Sequence, residues 1–355
     1  VFLRKYPPRA VSGLRVIGEG HQVRTSTRRQ NNVETACRFV ITPSFPILEA
    51  ILLKTSMRYF LAVVQHGSIR AASEALRINQ SAISRQVQSL EQEYDTTLFE
   101  RHARGTRLTQ SGELLFTSVR DIGFAADRTR SEINALQGLK RGHIKIHTIE
   151  LMLHSVIPSV MEKFRDQYPG VDFEIVLASS DIVASAVRHG ESDFGLTFAT
   201  PASPGVSTVF RMPSRLAAFM RPDHSLAANR NLTVANLTAW PIAVANRPTG
   251  TRQLFDNACR ARGVEISPKL ETNSVQLLHH FALTQDAIAV TCDLAFLSSV
   301  RSGQLVYRML GDPNLTTGDI ELLTMTGRRP TVAAEKFLLF LGREFDRSHA
   351  EKETA

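Results

Sequence analysis

Five polar residues, Gln80, Ser81, Ser84, Arg85 and Gln88, fall at steps of one, three, one and three, which places them on one face of a helix. That face carries two amides, two hydroxyls and a guanidinium. Gln can pair bidentately with the edge of adenine and Arg with that of guanine, Ser donates or accepts, and a helix N-terminus attracts phosphate. The same five residues would also make an ordinary solvated face, so the elements around them have to decide.

Other reactive side chains are less well supported by their neighbours. His143 and His147 would share one face of a strand and His279 is adjacent to His280, but no nearby Cys or carboxylate completes either as a metal site. Cys37, Cys259 and Cys292 are odd in number and lack paired spacing, which suits a reducing compartment. Cys259 and Cys292 invite a redox-sensor reading, yet no basic residue close in sequence marks either thiol as activated. The chain lacks a Gly-rich phosphate loop, HExxH, a paired CxxC and GxSxG. The expectation is therefore a protein without catalytic residues, bound metal or cofactor.

The polar face belongs to the third of three short helices. Met57, Phe60, Leu61 and Val64 have helical spacing, and His66-Gly67-Ser68 supplies a stop followed by a cap. Ala71, Ala72, Ala75 and Leu76 give a second helix that can approach its neighbour closely. Asn79 offers a further cap, and Ile83, Val87, Leu90 and Tyr94 form the buried stripe of the third helix. Leu98 to Arg101 and Arg104 to Thr109 then read as a hairpin-like wing with three arginines.

This run resembles the winged helix-turn-helix of the LysR-type transcriptional regulators. The matching residues are Phe60, Gly67-Ser68, Ala71-Ala72, Leu76, Gln80, Ser84, Leu90-Glu91, Leu98-Phe99, Arg101, Leu108-Thr109 and Gly112. The resemblance implies that Gln80, Ser81, Ser84 and Arg85 meet double-stranded DNA in the major groove and that Arg104 reaches the minor groove or the phosphates, and Gln88 on the same face is a further candidate DNA contact. Two positions depart from the pattern: Ser81 stands where Pro is common and Asp95 where Gly is common.

Beyond the wing, Leu115, Val119, Ile122, Ala126, Thr129, Ile133 and Leu136 recur at alternating steps of four and three, a heptad seam that predicts a dimerising helix. The family's linker helix does the same, and the resemblance implies a homodimer and a homotetramer built from two such dimers. From residue 143 strands alternate with helices, which predicts parallel sheets with helical crossovers. Two α/β lobes joined by crossing strands resemble the family's periplasmic-binding-protein-like sensor domain. Ligands in such folds lie at the carboxyl ends of strands. That geometry singles out Thr148, Glu150, Ser179, Ser180, Thr200, Asn246, Thr249 and Asn273 as contacts for a small-molecule effector. A carboxylate at Glu150 would repel an anion unless compensated, which favours a neutral or polyhydroxylated effector.

The expected organisation is an α+β multidomain chain of 355 residues. Residues 1–54 form a basic, disordered extension; 55–110 the winged helix-turn-helix; 111–142 the linker helix and hinge; 143–345 the effector-binding domain; 346–355 a tail. Residues 1–54 hold nine Lys and Arg against three Asp and Glu, and 55–142 hold twelve against nine, while the remainder is nearly balanced at 21 against 22. Basicity at one end suits a nucleic-acid partner there and a different partner elsewhere. The extension begins with Val and reads as translated upstream sequence or a basic tail, with Met57 close to where the ordered pattern starts. No apolar run is long enough for a membrane helix, and a cytosolic location is expected. A transport-type solute-binding protein would explain the lobes but not the helix-turn-helix.

Overall fold

The computed structural model describes residues 54–102, 105–136, 138–200, 203–312 and 317–353. Its first helices are α1 (Thr55–His66), α2 (Ile69–Leu76) and α3 (Gln80–Glu93). Gly67 closes α1 in the left-handed region with φ 70°, and the Ser68 hydroxyl accepts the Ala71 amide at 3.1 Å to open α2. Phe60, Leu90 and Leu98 are fully or almost fully buried in one apolar cluster, and Val63, Ala72, Ile83 and Val87 in another.

Strands β1 (Phe99–His102) and β2 (Gly105–Leu108) pair antiparallel as the expected hairpin. The Thr106 amide donates to Gly67 O at 2.9 Å, so the hairpin leans on the turn between α1 and α2. Gly105 makes this approach possible: its φ is +138°, and a Cβ there would stand 2.6 Å from Gly67 O. On the other side the Glu91 carboxylate accepts the Leu98 amide at 2.8 Å, which fixes the start of the hairpin to α3. Asp95 adopts φ 48°, and that left-handed turn is the physical reason a Gly would suit the position.

Helix α4 (Gln110–Leu136) is capped by Thr109, whose hydroxyl accepts the Gly112 amide at 3.0 Å. It does not carry one continuous heptad seam. Leu115 and Val119 are buried against Phe60, Leu90 and Leu98, inside the winged unit. Phe124 is buried elsewhere, with its ring against Gly190 and the Arg328 guanidinium 4.1 Å from its centroid. What remains exposed is a stripe containing Leu114, Ile122, Ile133 and Leu136, the last 88% accessible. At 3.6 residues per turn these four fall within an arc of roughly 100°.

The following region contains two mixed five-stranded sheets. In lobe 1 the order is β4-β3-β5-β12-β6, from β3 (Gly142–Thr148), β4 (Val171–Leu177), β5 (Phe194–Phe198), β6 (Val206–Ser214) and β12 (Gly318–Met325). Lobe 2 has β11-β7-β10-β8-β9, from β7 (Leu216–Met220), β8 (Ile242–Ala245), β9 (Leu270–Thr272), β10 (Ile288–Cys292) and β11 (Val306–Met309). Strands joined by helical crossovers are parallel, as expected. The crossing strands are not: β12 runs antiparallel to β5 and β6, and β7 to β10 and β11, because a strand entering from the other lobe meets the sheet from its opposite end.

Helices α5 (Glu150–Leu153), α6 (Val156–Gln167), α7 (Ser180–Arg188) and α11 (Val332–Glu353) belong to lobe 1. Phe164 and Phe337 lie 5.2 Å apart in its aromatic core. Lobe 2 adds α8 (Gly250–Arg262), α9 (Val275–Ala282) and α10 (Leu297–Arg301). α11 runs without a break through the boundary expected at residue 345, so 346–353 continue a helix rather than begin a tail. The expected extension, apart from Lys54, lies outside the described residues.

Candidate nucleic-acid interface and interlobe cleft

Helix α3 is held by its buried stripe Ile83, Val87 and Leu90, and this leaves the opposite face outward. Gln80, Ser81, Arg85 and Gln88 are exposed and Ser84 is half-buried. The Arg85 Nε lies 3.4 Å from Ser81 O within the same helix, a long contact that a stronger acceptor can replace. Asn79 was expected to cap α3 but makes no side-chain cap, which leaves the first-turn amides without a side-chain acceptor. Arg107 is exposed on β2. Arg104 lies outside the described residues. The polar face and the hairpin thus belong to one folded unit, α3 held by its buried stripe and the hairpin by its bond to the turn after α1.

The residues expected around an effector do not all converge. Thr148, at the end of β3, is fully buried, and its hydroxyl lies 3.3 Å from Ile149 O. Ser179 precedes α7 and is exposed, while Ser180 ties to Phe198 through its hydroxyl, and α7 has no side-chain cap. Thr200 is turned into a cavity of about 350 Å³ bounded by Ala184, Thr208, Arg211, Glu321 and Leu323, all from lobe 1. Its amide donates to Glu321 at 3.3 Å and its hydroxyl is buried without a partner. In lobe 2 the Thr249 hydroxyl donates to Asn246 O at 2.9 Å, and Asn246 N to Thr272 O at 3.0 Å. Asn273 is exposed.

Glu150 is hydrogen-bonded to residues of the other lobe. Its Oε1 accepts from the Ser274 hydroxyl and from the Gln276 amide, both at 3.3 Å, and His154 Nε2 is 3.5 Å away. Ser274 and Gln276 belong to the start of α9, so the contact passes from lobe 1 to lobe 2. Ser274 and Gln276 are neutral donors, so they satisfy Oε1 without supplying an opposite charge. Ser274 was missed in favour of its neighbour Asn273; a Ser directly before a helical pattern with Val275, Leu277 and Leu278 is a cap signal that would have found it. Arg252 was missed as well. It is buried in lobe 2, where its guanidinium pairs with Asp256 at 2.8 Å and Glu271 at 2.9 Å and donates to Ala245 O, pinning α8 to the sheet.

The reactive side chains outside these two regions are engaged in the fold. His147 is buried beside Ser192, with which its Nδ1 is hydrogen-bonded, and burial, then the nearby Lys145 charge, holds its pKa below the usual histidine value. His279 bonds Ser299 through Nε2 at 2.6 Å. Burial, aided by Asp256, pushes the Cys259 thiol up to about 11, the opposite of an activated thiolate. Cys292 is buried in β10. Among the described residues, no three His, Cys, Asp or Glu side chains come together to hold a metal ion, and no helix is long and apolar enough to cross a membrane.

Comparison with known proteins bears on both regions. The model described as "Bacterial regulatory helix-turn-helix protein, lysR family" matches residues 55–113, and "LysR substrate binding domain" matches 137–346. A RuBisCO operon transcriptional regulator of Allochromatium vinosum is 27% identical over 302 residues, covering 82% of this chain and 96% of that protein. The transcriptional dual regulator GltC of Bacillus subtilis is 26% identical, over 62% of this chain and 73% of its own. Among solved structures, a full-length OxyR variant from Pseudomonas aeruginosa superposes with a TM-score of 0.57 at 18% identity, covering 82% of this chain and 93% of that one. At that identity the likeness concerns the fold.

Proposed function

The chain belongs to the LysR family of bacterial transcriptional regulators, with a helix-turn-helix DNA-binding domain and an effector-binding domain, and from that premise we propose how it reads and responds. It is a regulator and not an enzyme. Acting in the cytoplasm as a homotetramer of two homodimers, it recognises its operator through Gln80, Ser81, Ser84, Arg85 and Gln88 in the major groove, with Arg104 and the wing on the flanking backbone or minor groove. The single observation that carries this reading is the exposed polar face of α3, whose buried stripe leaves it no other side to present.

A small molecule held between the lobes then changes operator binding. A ligand can do so only by binding one arrangement of the assembly better than another, and a tenfold preference is worth about 1.4 kcal/mol. The candidate contacts nearest the gap are Glu150 and Ser274, with Ser179, Asn246, Thr249 and Asn273 at the ends of neighbouring strands. Nuclease protection of the DNA upstream of its own gene, with the full chain and a panel of sugars, lactones and aromatic acids, tests the reading. A protected stretch whose edges shift with one metabolite is expected. Protection that is absent, or identical with every compound, overturns it.

A further inference from the structure

Between the two lobes a carboxylate of lobe 1 meets the start of a lobe 2 helix. Helix α9 leaves its first amides without intrahelical partners, as every helix does. Ser274 accepts the Leu277 amide at its hydroxyl oxygen, 3.3 Å away, and donates a hydrogen bond to Glu150 Oε1. The Gln276 amide donates to the same oxygen. Both functions of the Ser274 hydroxyl are thus used, and the negative end of the relay lies at the positive end of an eight-residue helix. Glu150 reaches this place from α5, immediately after the buried end of β3, so its tether is short. The two partners lie 124 and 126 residues away in sequence, on the other lobe.

We propose that Glu150 is the residue that sets the charge of the effector: it holds the lobe 2 donors as a tethered anion, so that the cleft takes an uncharged, hydroxyl-bearing ligand and turns away a simple carboxylate. The inference rests on the interlobe reading given above. A free carboxylate would have to expel Glu150 from Ser274 and Gln276 and then remain beside its charge, two costs that a hydroxyl does not meet. A hydroxyl-bearing ligand can instead donate to the half-buried Glu150 and add to the contact between lobes.

The test is amide hydrogen exchange of the full chain over 274–277, read by mass spectrometry in sodium acetate and in sodium chloride at equal ionic strength. In the unsubstituted chain the Gln276 amide exchanges slowly and acetate changes nothing. Glu150→Ala exchanges about tenfold faster, the scale of a lost hydrogen bond to a charged group, and acetate slows it again by filling the vacated place. Ser274→Ala added to Glu150→Ala abolishes that rescue. Glu150→Gln keeps an acceptor oxygen and stays close to the unsubstituted rate, which also covers the case in which the alanine variant does not fold. Equal exchange in the unsubstituted chain and both Glu150 variants, or equal protection of all by acetate, overturns the proposal. Failure of the regulatory reading would appear in the nuclease-protection experiment and leave this exchange pattern intact.

Discussion

Arg85 is exposed on α3, and its long contact to Ser81 O ties it down only weakly. If it pairs with guanine on the operator, Arg85→Ala weakens specific binding by roughly 1–3 kcal/mol and relaxes preference at one base pair. A band-shift titration on the protected fragment measures this, and unchanged affinity would remove Arg85 from recognition. Residues of this kind were legible early because type and spacing carry their chemistry. Glu150 was legible only as a problem. Its charge was visible, but the Ser274 hydroxyl and Gln276 amide that hydrogen-bond to it lie more than a hundred residues away, and no local pattern announces a partner at that distance.

At the level of the helix, α4 corrects the most definite sequence expectation. Leu115 and Val119 fit a heptad seam by spacing, yet they are already buried inside the winged unit, and Phe124 is buried against lobe 1. Val119→Asp should therefore cost the winged unit ~3 kcal/mol or more by burying an unpaired charge, visible as a lowered melting temperature. Ile122 and Ile133 remain exposed. Ile122→Asp together with Ile133→Asp should leave melting of the monomer unit nearly unchanged while light scattering reports a halved mass, if this stripe forms the dimer. An unchanged mass would take the stripe out of the assembly. The sequence could not separate these sets because several apolar faces overlap along 27 residues of one helix, and only the neighbours decide which face is already used.

For the molecule as a whole, the uneven charge has a measurable consequence. Basic excess lies in the extension and in 55–142, and the rest is close to neutral. Operator affinity should fall linearly with the logarithm of salt concentration, with a slope of about −0.9 for each phosphate neutralised, whereas interlobe ligand binding should depend far less on salt. Fluorescence anisotropy for DNA and calorimetry for the ligand give the two slopes. Similar steep slopes for both would place the ligand in the basic region rather than between the lobes.

The three-helix order, the wing, the α/β alternation and the polar face of α3 all followed from sequence, because each depends on contacts between residues close along the chain: a Gly stop, a Ser cap, a stripe at helical spacing. Tertiary structure alone decided the rest. It showed the crossing strands to be antiparallel, buried Thr148, turned Thr200 into a lobe 1 cavity and joined Glu150 to the start of α9. Those outcomes depend on which distant surfaces meet, and the physical reason is that burial and hydrogen-bond partnership are properties of a pair in space, while spacing is a property of one segment of chain.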